Sequence, residues 1–347
     1  MRVAVAHDGT QRCLQTGYAT ARFGASFSPF ETRSAGTGGV EEQWRLGMAQ
    51  QELPVIGVVG LGSMGGLGMA QTLAAKGGFA TLGFDLSPER KALAQKVNVT
   101  PADTLDKLFE NADFLVFSLP TARDVETVVN AHIHQLGAGR SRVVIIDTST
   151  SEPDVSRALA QKLDALGHGF LDAPPVSGGP AGAASGKLTM MIGGSDADLA
   201  LAQPVIETMA AKALHVGPSG AGNVAKLVNN LLAAAHMVTT SEGLKLALAA
   251  GISPPESALR VLNAASGKSM ISEVHFPTWI MNDRFDSGFT MGLMRKDVRL
   301  AQELAERTGG ADIPLTSVVA KLWAGSNHLE DRDDFTRMGA FQPDSSK

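Results

Sequence analysis

Short apolar runs alternate with longer amphipathic stretches through the middle of the chain. Residues 54–60 form a continuous apolar run rich in β-branched side chains, which is typical of a buried parallel strand. Helical sequence follows over residues 62–76 and ends at Gly77-Gly78. The alternation continues with predicted strands at 80–84, 113–119 and 142–147 and predicted helices from Pro88, at 121–130 and at 151–166. This order predicts a doubly wound α/β fold with a parallel sheet.

The pattern changes near residue 217. A long helical stretch continues through Ala250 and ends before Gly251, and no strand signal follows it. Three further helices are predicted, at 254–265, 296–307 and 313–327. We therefore expect a Rossmann-type domain over residues 53–216 and an all-α domain over residues 217–340, joined through the long helix.

The first 47 residues have no sustained period of 2 or 3.6. They are rich in Gly, Ser and Thr, contain Arg but no Lys, and hold Asp8 as the only acidic residue before Phe30. This composition is typical of an organelle transit peptide. A disordered leader, or a start assigned upstream of Met48, is the alternative. We expect no functional domain in residues 1–47, and a cytoplasmic location unless they direct the chain to mitochondria.

Composition excludes several classes of protein. With 44% hydrophobic residues, the 347-residue chain can build packed cores, which excludes disorder for most of its length. No apolar run reaches 18 residues, so no transmembrane helix is predicted. A net charge of −5 without basic clusters argues against binding to nucleic acid or to anionic membranes. Cys13 is the single cysteine, and metal-binding spacings are absent, so neither a disulfide nor a metal site is predicted.

A glycine-rich turn follows the first predicted strand. Residues 60–65, GLGSMG, have the spacing G-x-G-x-x-G, in which the glycines permit a tight turn, close approach to a pyrophosphate and close helix packing. The next helix offers free N–H groups to phosphates. Asp85 lies 20 residues after Gly65, where a carboxylate meets ribose hydroxyls and repels a 2′-phosphate. Glycines alone would also suit a structural turn. The whole context predicts a dinucleotide site that favours NAD over NADP, although Arg90 weakens that preference.

Two later stretches carry candidate chemistry. Ser177, Gly178 and Gly179 follow Pro174-Pro175 in a glycine-rich loop, whose N–H groups can surround a carboxylate; a tight loop between strands is the alternative. Lys226 and Asn230 share one face of the long helix, because they lie four residues apart. A lysine on so apolar a helix is either a surface residue or a buried one, and burial would lower its pKa towards that of a general base.

Lys226 is the preferred candidate base for the following reasons. A nucleotide site upstream indicates dehydrogenation, which needs a base, and the histidines are scattered without a partner pattern. Lys296-Asp297, at a later helix start, is compatible with a surface ion pair on sequence grounds alone.

Four blocks in this order resemble the β-hydroxyacid dehydrogenase family, which includes 3-hydroxyisobutyrate dehydrogenases and is related to 6-phosphogluconate dehydrogenase. They are GLGSMG at 60–65, DAPPVSGGPAGAASGKL at 172–188, GAGNVAKLVNN at 220–230 and GFTMGLMRKD at 288–297. The resemblance covers about residues 54–335. It implies an oxidoreductase that acts on a CH–OH group of a small β-hydroxyacid, similar to 3-hydroxyisobutyrate, with NAD as cofactor. The apolar surface of the helical half leads us to expect a homodimer or homotetramer, with substrate binding and dimerisation assigned to that half.

The resemblance also implies a role for individual residues. Lys226 is the catalytic base, Asn230 holds the substrate hydroxyl, and Ser177, Gly178 and Gly179 bind the substrate carboxylate. The implied cofactor-binding residues are Gly60, Leu61, Gly62, Ser63, Met64, Gly65, Asp85, Leu119, Pro120, Thr150 and Lys296.

One departure from the family pattern concerns the substrate loop. The family usually has one proline in D-A-P-V-S-G-G, whereas this chain has Pro174-Pro175. An added residue next to the carboxylate site puts the identity of the substrate in question more than it does the fold.

Four other functions remain open. An NADPH-dependent reductase of a small aldehyde acid, such as succinic semialdehyde or glyoxylate, shares all four blocks, and Asp85 argues against it. An L-threonate-type dehydrogenase needs partners for extra hydroxyls, which the apolar neighbours of Lys226 do not offer. An imine reductase typically replaces the lysine. A catalytically silent dinucleotide sensor would need neither Lys226 nor Asn230.

Overall fold

The computed structural model describes residues 53–62, 65–136, 141–309 and 313–341. The leader predicted over residues 1–47 lies outside this part of the chain. The same holds for Ser63 and Met64 of the glycine-rich turn, so the predictions made for them remain predictions.

Nine strands of the described chain form one sheet. Their bounds are β1 Val55–Val59, β2 Ala80–Phe84, β3 Thr100–Pro101, β4 Phe114–Phe117, β5 Val144–Asp147, β6 Gly169–Asp172, β7 Pro175–Ser177, β8 Leu188–Gly193 and β9 Ala210–Gly217. The first six are parallel in the order β3-β2-β1-β4-β5-β6, which is the order of a Rossmann domain. β8 then pairs antiparallel with β6 and β7 and parallel with β9.

Helices cover both faces of the parallel part. They are α1 Gly66–Ala75, α2 Pro88–Gln95, α3 Leu105–Asn111, α4 Ala122–His132, α5 Pro153–Asp164, α6 Gly179–Ser185 and α7 Asp196–Met209, with a 3₁₀ turn at Ile133–Leu136. Two apolar cores result, one on each face of the sheet. Ser87 caps α2 by accepting the N–H of Arg90, and Pro88 occupies the first turn, as the sequence predicts.

The C-terminal part is helical. It consists of α8 Ala221–Ala249, α9 Pro255–Ala264, a π-helix Ile271–Ile280, α10 Met291–Thr308, α11 Pro314–Ala324 and a 3₁₀ turn Phe335–Gly339. These elements pack on the 29-residue helix α8 and share a core with the fully buried Trp323, whose indole donates to the carbonyl of Ala234. The predicted fold class, a doubly wound sheet followed by an all-α region, is confirmed. Within the described chain, no helix is both long and apolar enough to cross a bilayer.

Some elements differ from the sequence prediction. α1 begins at Gly66 rather than residue 62, because Gly65 has a φ of 154°, which is not helical. α10 begins at Met291, five residues before the predicted start, with Thr290 as its capping residue. The π-helix was not predicted, since Pro277 lies within it and its apolar residues show no single face.

Candidate active site

The glycine-rich turn brings the ends of β1 and β4 into direct contact. Gly60 has a φ of 89°, and a Cβ atom there would collide with the carbonyl oxygen of Ser118. At Gly62, by contrast, no atom of the described residues other than its chain neighbours lies within 4 Å of an added Cβ atom. As far as the described residues show, the turn is therefore closed towards the sheet at Gly60 and open at Gly62, as close approach of a pyrophosphate requires.

Asp85 is tied to this turn. Its Oδ2 accepts the N–H of Leu61 at 2.8 Å, and its Oδ1 accepts the N–H of Ser87 at 2.8 Å. Each carboxylate oxygen keeps a lone pair beyond these bonds. The carboxylate is partly exposed beside the turn, so it is available to ribose hydroxyls and its charge opposes a phosphate there.

The loops after β4 and β5 lie side by side at the carboxyl edge of the sheet. The N–H of Leu119 donates to Oγ of Ser149 at 3.0 Å, which joins the two loops. Pro120 is exposed next to Leu119, and Thr150 is half-buried. The carbonyl oxygen of Thr150 accepts a 3.1 Å hydrogen bond from Nζ of Lys296, which reaches this edge from α10. Three of the predicted cofactor residues therefore meet at one edge, and Lys296 joins them from the helical part.

Lys226 is buried on α8, with 8% of the residue exposed. Burial lowers the pKa of its amine below the ordinary lysine value. The nearby charge of Asp297 opposes that decrease, and the charge of Lys296 adds to it. Nζ lies 6.0 Å from the centre of the Phe289 ring. Of the two interpretations of Lys226, a surface residue or a buried one, the structure supports the buried one. Its pKa is lowered, which is the direction that a general base requires.

Asn230 lies one turn beyond Lys226 and is also buried. Its Nδ2 donates to Oδ2 of Asp297 at 2.6 Å, and its Oδ1 accepts from Nδ2 of Asn229 at 3.1 Å. Oδ1 of Asp297 lies 3.3 Å from Nζ of Lys296. One carboxylate thus connects the candidate substrate residue Asn230 with the candidate cofactor residue Lys296.

Sequence reasoning missed Asp297 as a site residue. Beside Lys296 it is compatible with a surface ion pair, but it is 2% exposed, so that interpretation is wrong. The signal was its spacing, because Asp297 falls in register with the other buried residues of this helix, which are Met291, Met294, Val298, Leu300 and Ala301.

The predicted carboxylate loop is exposed at the end of β7. Ser177 is the last residue of this strand, and Gly178, with a φ of 108°, leads into α6. β7 and α8 are in contact. α6 in turn packs on α1, where Oγ1 of Thr72 donates to the carbonyl of Ala183 at 2.8 Å. The loop therefore lies between the helix of the glycine-rich turn and the helix that carries Lys226.

The second proline is accommodated by an irregularity in β7. Pro175 pairs with Met190 and Ser177 pairs with Thr189, so two steps along β7 correspond to one step along β8. This is a β-bulge that contains one additional residue. The bulge lies between the second proline and Gly178, so it provides room for one added residue at this point.

Among the described residues, no group of three or more His, Cys, Asp and Glu side chains is placed to hold a metal ion. The polar groups described above are instead suited to a dinucleotide, a carboxylate and a hydroxyl.

Comparison with known proteins gives consistent matches over both parts of the chain. Residues 55–217 match the family described as the NAD binding domain of 6-phosphogluconate dehydrogenase. Residues 220–341 match the family described as NAD-binding of NADP-dependent 3-hydroxyisobutyrate dehydrogenase.

Individual relatives agree with these families. The chain is 35% identical to 2-(hydroxymethyl)glutarate dehydrogenase of Eubacterium barkeri over 274 residues, which cover 79% of this chain and 89% of the relative. It is 34% identical to the mitochondrial 3-hydroxyisobutyrate dehydrogenase of Mus musculus over 263 residues, 73% of this chain and 76% of the relative. Among solved structures, 3-hydroxyisobutyrate dehydrogenase of Mycobacterium tuberculosis with L-serine is similar, with a TM-score of 0.76, 30% identity and coverage of 82% and 98% of the two chains.

Proposed function

The chain belongs to the family of β-hydroxyacid dehydrogenases that includes 3-hydroxyisobutyrate dehydrogenase. On that basis we propose that it oxidises a small β-hydroxyacid with NAD and that Lys226 is the general base. The observation that carries the proposal is the burial of Lys226 beside Asn230 and Asp297, within a cluster that Lys296 connects to the cofactor edge at Thr150. We propose residues 53–216 as the cofactor domain and residues 217–340 as the domain for substrate binding and dimerisation.

The cofactor proposal rests on the residues of the turn and of the edge. The open backbone at Gly62 suits the pyrophosphate, and the carboxylate of Asp85 suits ribose hydroxyls. Leu119, Pro120 and Thr150 would line the nicotinamide half, and Lys296 would contact it from α10. When bound, the nicotinamide supplies the acceptor for the hydride that leaves the substrate carbon.

The protein's own residues would do the remaining work. The N–H groups at Ser177, Gly178 and Gly179 would hold the substrate carboxylate. Asn230 would orient the β-hydroxyl towards Lys226, whose neutral amine accepts the hydroxyl proton at Nζ as oxidation proceeds. Burial of Lys226 supports this role, because it favours the neutral form that can accept a proton.

The names of the relatives narrow the proposed substrate class. 3-Hydroxyisobutyrate, 2-(hydroxymethyl)glutarate and L-serine all contain a primary alcohol on the carbon β to a carboxylate, and they differ only in the group on the α-carbon. We propose this unit, a 2-substituted 3-hydroxypropanoate, as the substrate class of the chain. Its carboxylate and hydroxyl match the two separate polar positions of the site.

A substrate panel tests this proposal. It contains 3-hydroxyisobutyrate, 2-(hydroxymethyl)glutarate, L-serine and L-threonate, each with NAD and with NADP, followed at the nicotinamide absorbance. We expect the largest kcat/KM for a 2-substituted 3-hydroxypropanoate with NAD. A preference of tenfold or more for threonate, about 1.4 kcal/mol in transition-state binding, would contradict the proposed pocket.

A second candidate is the reverse type of enzyme, an NADPH-dependent reductase of a small aldehyde acid. The family matched by residues 220–341 is described as NADP-dependent, which favours this candidate. The same panel separates the two when succinic semialdehyde and glyoxylate are added with NADPH. Faster reduction of either compound than oxidation of every alcohol would favour the second candidate.

Self-association is part of the proposal. Large apolar side chains are exposed on two neighbouring helices: Val228, Leu232 and Leu246 on α8, and Leu315, Val318 and Leu322 on α11. A homodimer or homotetramer would cover such a surface. Sedimentation equilibrium tests this, and a monomer at micromolar concentration would contradict it. For location we propose the cytoplasm, or the mitochondrion if residues 1–47 direct import.

A further inference from the structure

The first turn of α8 is capped by a residue from the sheet. Asp172, the last residue of β6, is fully buried, and its Oδ1 accepts the N–H of Gly220 at 2.7 Å. Its Oδ2 accepts the N–H of Asn223 at 2.9 Å. The first N–H groups of a helix have no partner within the helix, and a carboxylate is a favourable partner for them. Gly220 at the capping position has no side chain for this task, so Asp172 supplies the cap from another element.

Asn223 fixes the same turn in a second direction. Its Oδ1 accepts the N–H of Ser151 at 2.9 Å, and its Nδ2 donates to Oγ of Ser156 at 3.1 Å. Ser151 directly follows Thr150, whose carbonyl receives Nζ of Lys296. The turn is therefore bonded both to the end of β6 and to the loop that forms the cofactor edge.

Backbone packing leaves the turn no room to shift towards the sheet. A Cβ atom at Gly222 would collide with the carbonyl oxygen of Asp172 and would lie 2.7 Å from that of Met191. A Cβ atom at Gly193 would lie 2.8 Å from the nitrogen of Gly222. The helix backbone thus rests directly on the ends of β6 and β8.

Lys226 follows this turn within α8. It is three residues after Asn223 and four after Gly222, so it lies one turn further on the same face. At 1.5 Å per residue, Gly220 and Lys226 are about 9 Å apart along the axis. A displacement of the capped turn would move Lys226 with it, because no flexible segment separates them.

We propose that Asp172, together with Asn223, positions Lys226: the two side chains fix the first turn of α8 against β6 and the cofactor edge, and thereby hold the amine at the depth where it acts. This inference rests on the proposed role of Lys226 as the base. Asp172 touches neither substrate nor cofactor in this scheme, so it is a positioning residue rather than a catalytic one.

The test substitutes Asp172→Asn, which keeps the shape but replaces one acceptor oxygen with an NH₂ group. Asp198→Asn is the matched control. Asp198 is also buried and at the start of a helix, but its bonds go to Arg142 and Ser195 rather than to α8. Both variants lose a buried carboxylate, and only one of them loosens the turn before Lys226.

The first readout is the pKa of Lys226, measured from the pH dependence of its acetylation by mass spectrometry, which needs no substrate. We expect Asp172→Asn to raise this pKa towards the ordinary lysine value, because a loosened turn exposes the amine to water. The charged groups that face Lys226 are Asp297 and Lys296, and both remain in the variant. Loss of a negative charge alone would lower the pKa, so the sign separates movement from electrostatics. An unchanged or lowered pKa would overturn the proposal.

The second readout is the pH profile of kcat. In Asp172→Asn we expect the rising limb to move to higher pH, kcat near neutral pH to fall about tenfold or more, and KM for NAD to change less than about threefold. Asp198→Asn should keep the parent's limb even if it lowers the Tm. If the rising limb of Asp172→Asn lies at the same pH as that of the parent, the proposal is overturned.

If Asp172→Asn does not fold, Asn223→Ser replaces it, since it keeps the backbone N–H that Asp172 accepts and removes the tie to Ser151. A raised pKa of Lys226 supports the proposal, and the parent's value overturns it. If the parent oxidises no β-hydroxyacid, the proposed function fails, while the acetylation pKa still decides whether Asp172 and Asn223 position Lys226.

Discussion

The side-chain amide of Asn230 donates a 2.6 Å hydrogen bond to Oδ2 of Asp297, so α8 and α10 are bonded at the candidate active site. The other oxygen of this carboxylate lies 3.3 Å from Nζ of Lys296. The same negative charge opposes the lowering of the Lys226 pKa by burial. A single buried carboxylate therefore acts on the three polar side chains that we assign to the substrate and the cofactor.

Substitution Asp297→Asn should move the rising limb of the kcat/KM profile to lower pH. Without the carboxylate, burial lowers the pKa of Lys226 unopposed, so the neutral amine is present at lower pH. Initial rates across the pH range, with saturating cofactor, measure the limb. Asp331→Asn, an exposed aspartate that pairs with Arg295, is the control. A rising limb that stays at the parent's pH or moves to higher pH would show that Asp297 does not act on Lys226.

Substitution Lys226→Met should lower kcat by about 10² or more, the scale of a lost general base, and leave NAD affinity nearly unchanged. The thioether side chain is apolar and similar in length, so it fits the buried position. Rates and cofactor titrations followed by protein fluorescence measure both quantities. Lys245→Met, an exposed lysine on the same helix, should retain the parent's kcat. A Lys226→Met enzyme with most of its turnover would remove Lys226 from the mechanism.

The parent should have a larger kcat/KM with NAD than with NADP, and Asp85→Ser should reduce or reverse that ratio. The carboxylate beside the turn repels a 2′-phosphate, and serine removes the charge while keeping a hydroxyl that can accept one backbone N–H. Glu89→Ser removes the same charge four residues later and should leave the ratio unchanged. Equal use of both cofactors by the parent would refute the assignment of Asp85.

The burial of Asp147 leads us to predict that the free energy of unfolding depends on pH. It is buried at the end of β5, directly opposite Asp172 in the register, and burial raises its pKa to about 7. Because the folded-state pKa lies above the unfolded value, the protonated carboxyl is preferred in the folded protein. The free energy of unfolding therefore falls as the pH rises from about 4 through 7. The total loss is on the order of 4 kcal/mol once Asp147 is fully ionised.

Asp147→Asn should reduce this loss, since the amide stays neutral and its oxygen can still accept the N–H of Ser149. We expect the Tm of the variant relative to the parent to rise between about pH 5 and about pH 8. Thermal unfolding in a buffer series measures the difference. Parallel curves for the two proteins would mean that Asp147 stays charged, or stays neutral, throughout that range.

Strands β1, β4 and β5 follow from the sequence because they are buried on both faces, whereas β3 and β6 of the same parallel sheet were not predicted. β2 was predicted with its observed bounds, and β1, β4 and β5 differ only at the ends, since continuous apolar runs are unambiguous there. β9 has the sequence AAKALHVG, which has little β-propensity and forms a strand only because β8 provides a partner. α7 was not predicted either, because it contains Pro204, and a proline within a helix is unfavourable.

The candidate site divides in the same way. The glycine-rich turn, Asp85 and Lys226 were recognisable because spacing and context identify them. Asp297 and Asp172 were not, because their importance depends on which N–H groups and amines the fold brings to them from distant residues. The roles assigned to these residues remain predictions until the variants are measured.

Because of the bulge at the end of β7, the number of residues before the substrate loop can change without a change in the position of the loop. The extra residue of β7 lies between Pro175 and Ser177, and Ser177 pairs with Thr189 of β8. A relative with one proline and regular pairing would present its serine at the same rung of the sheet. Gain or loss of one residue at this bulge therefore need not move the serine that we assign to the substrate carboxylate.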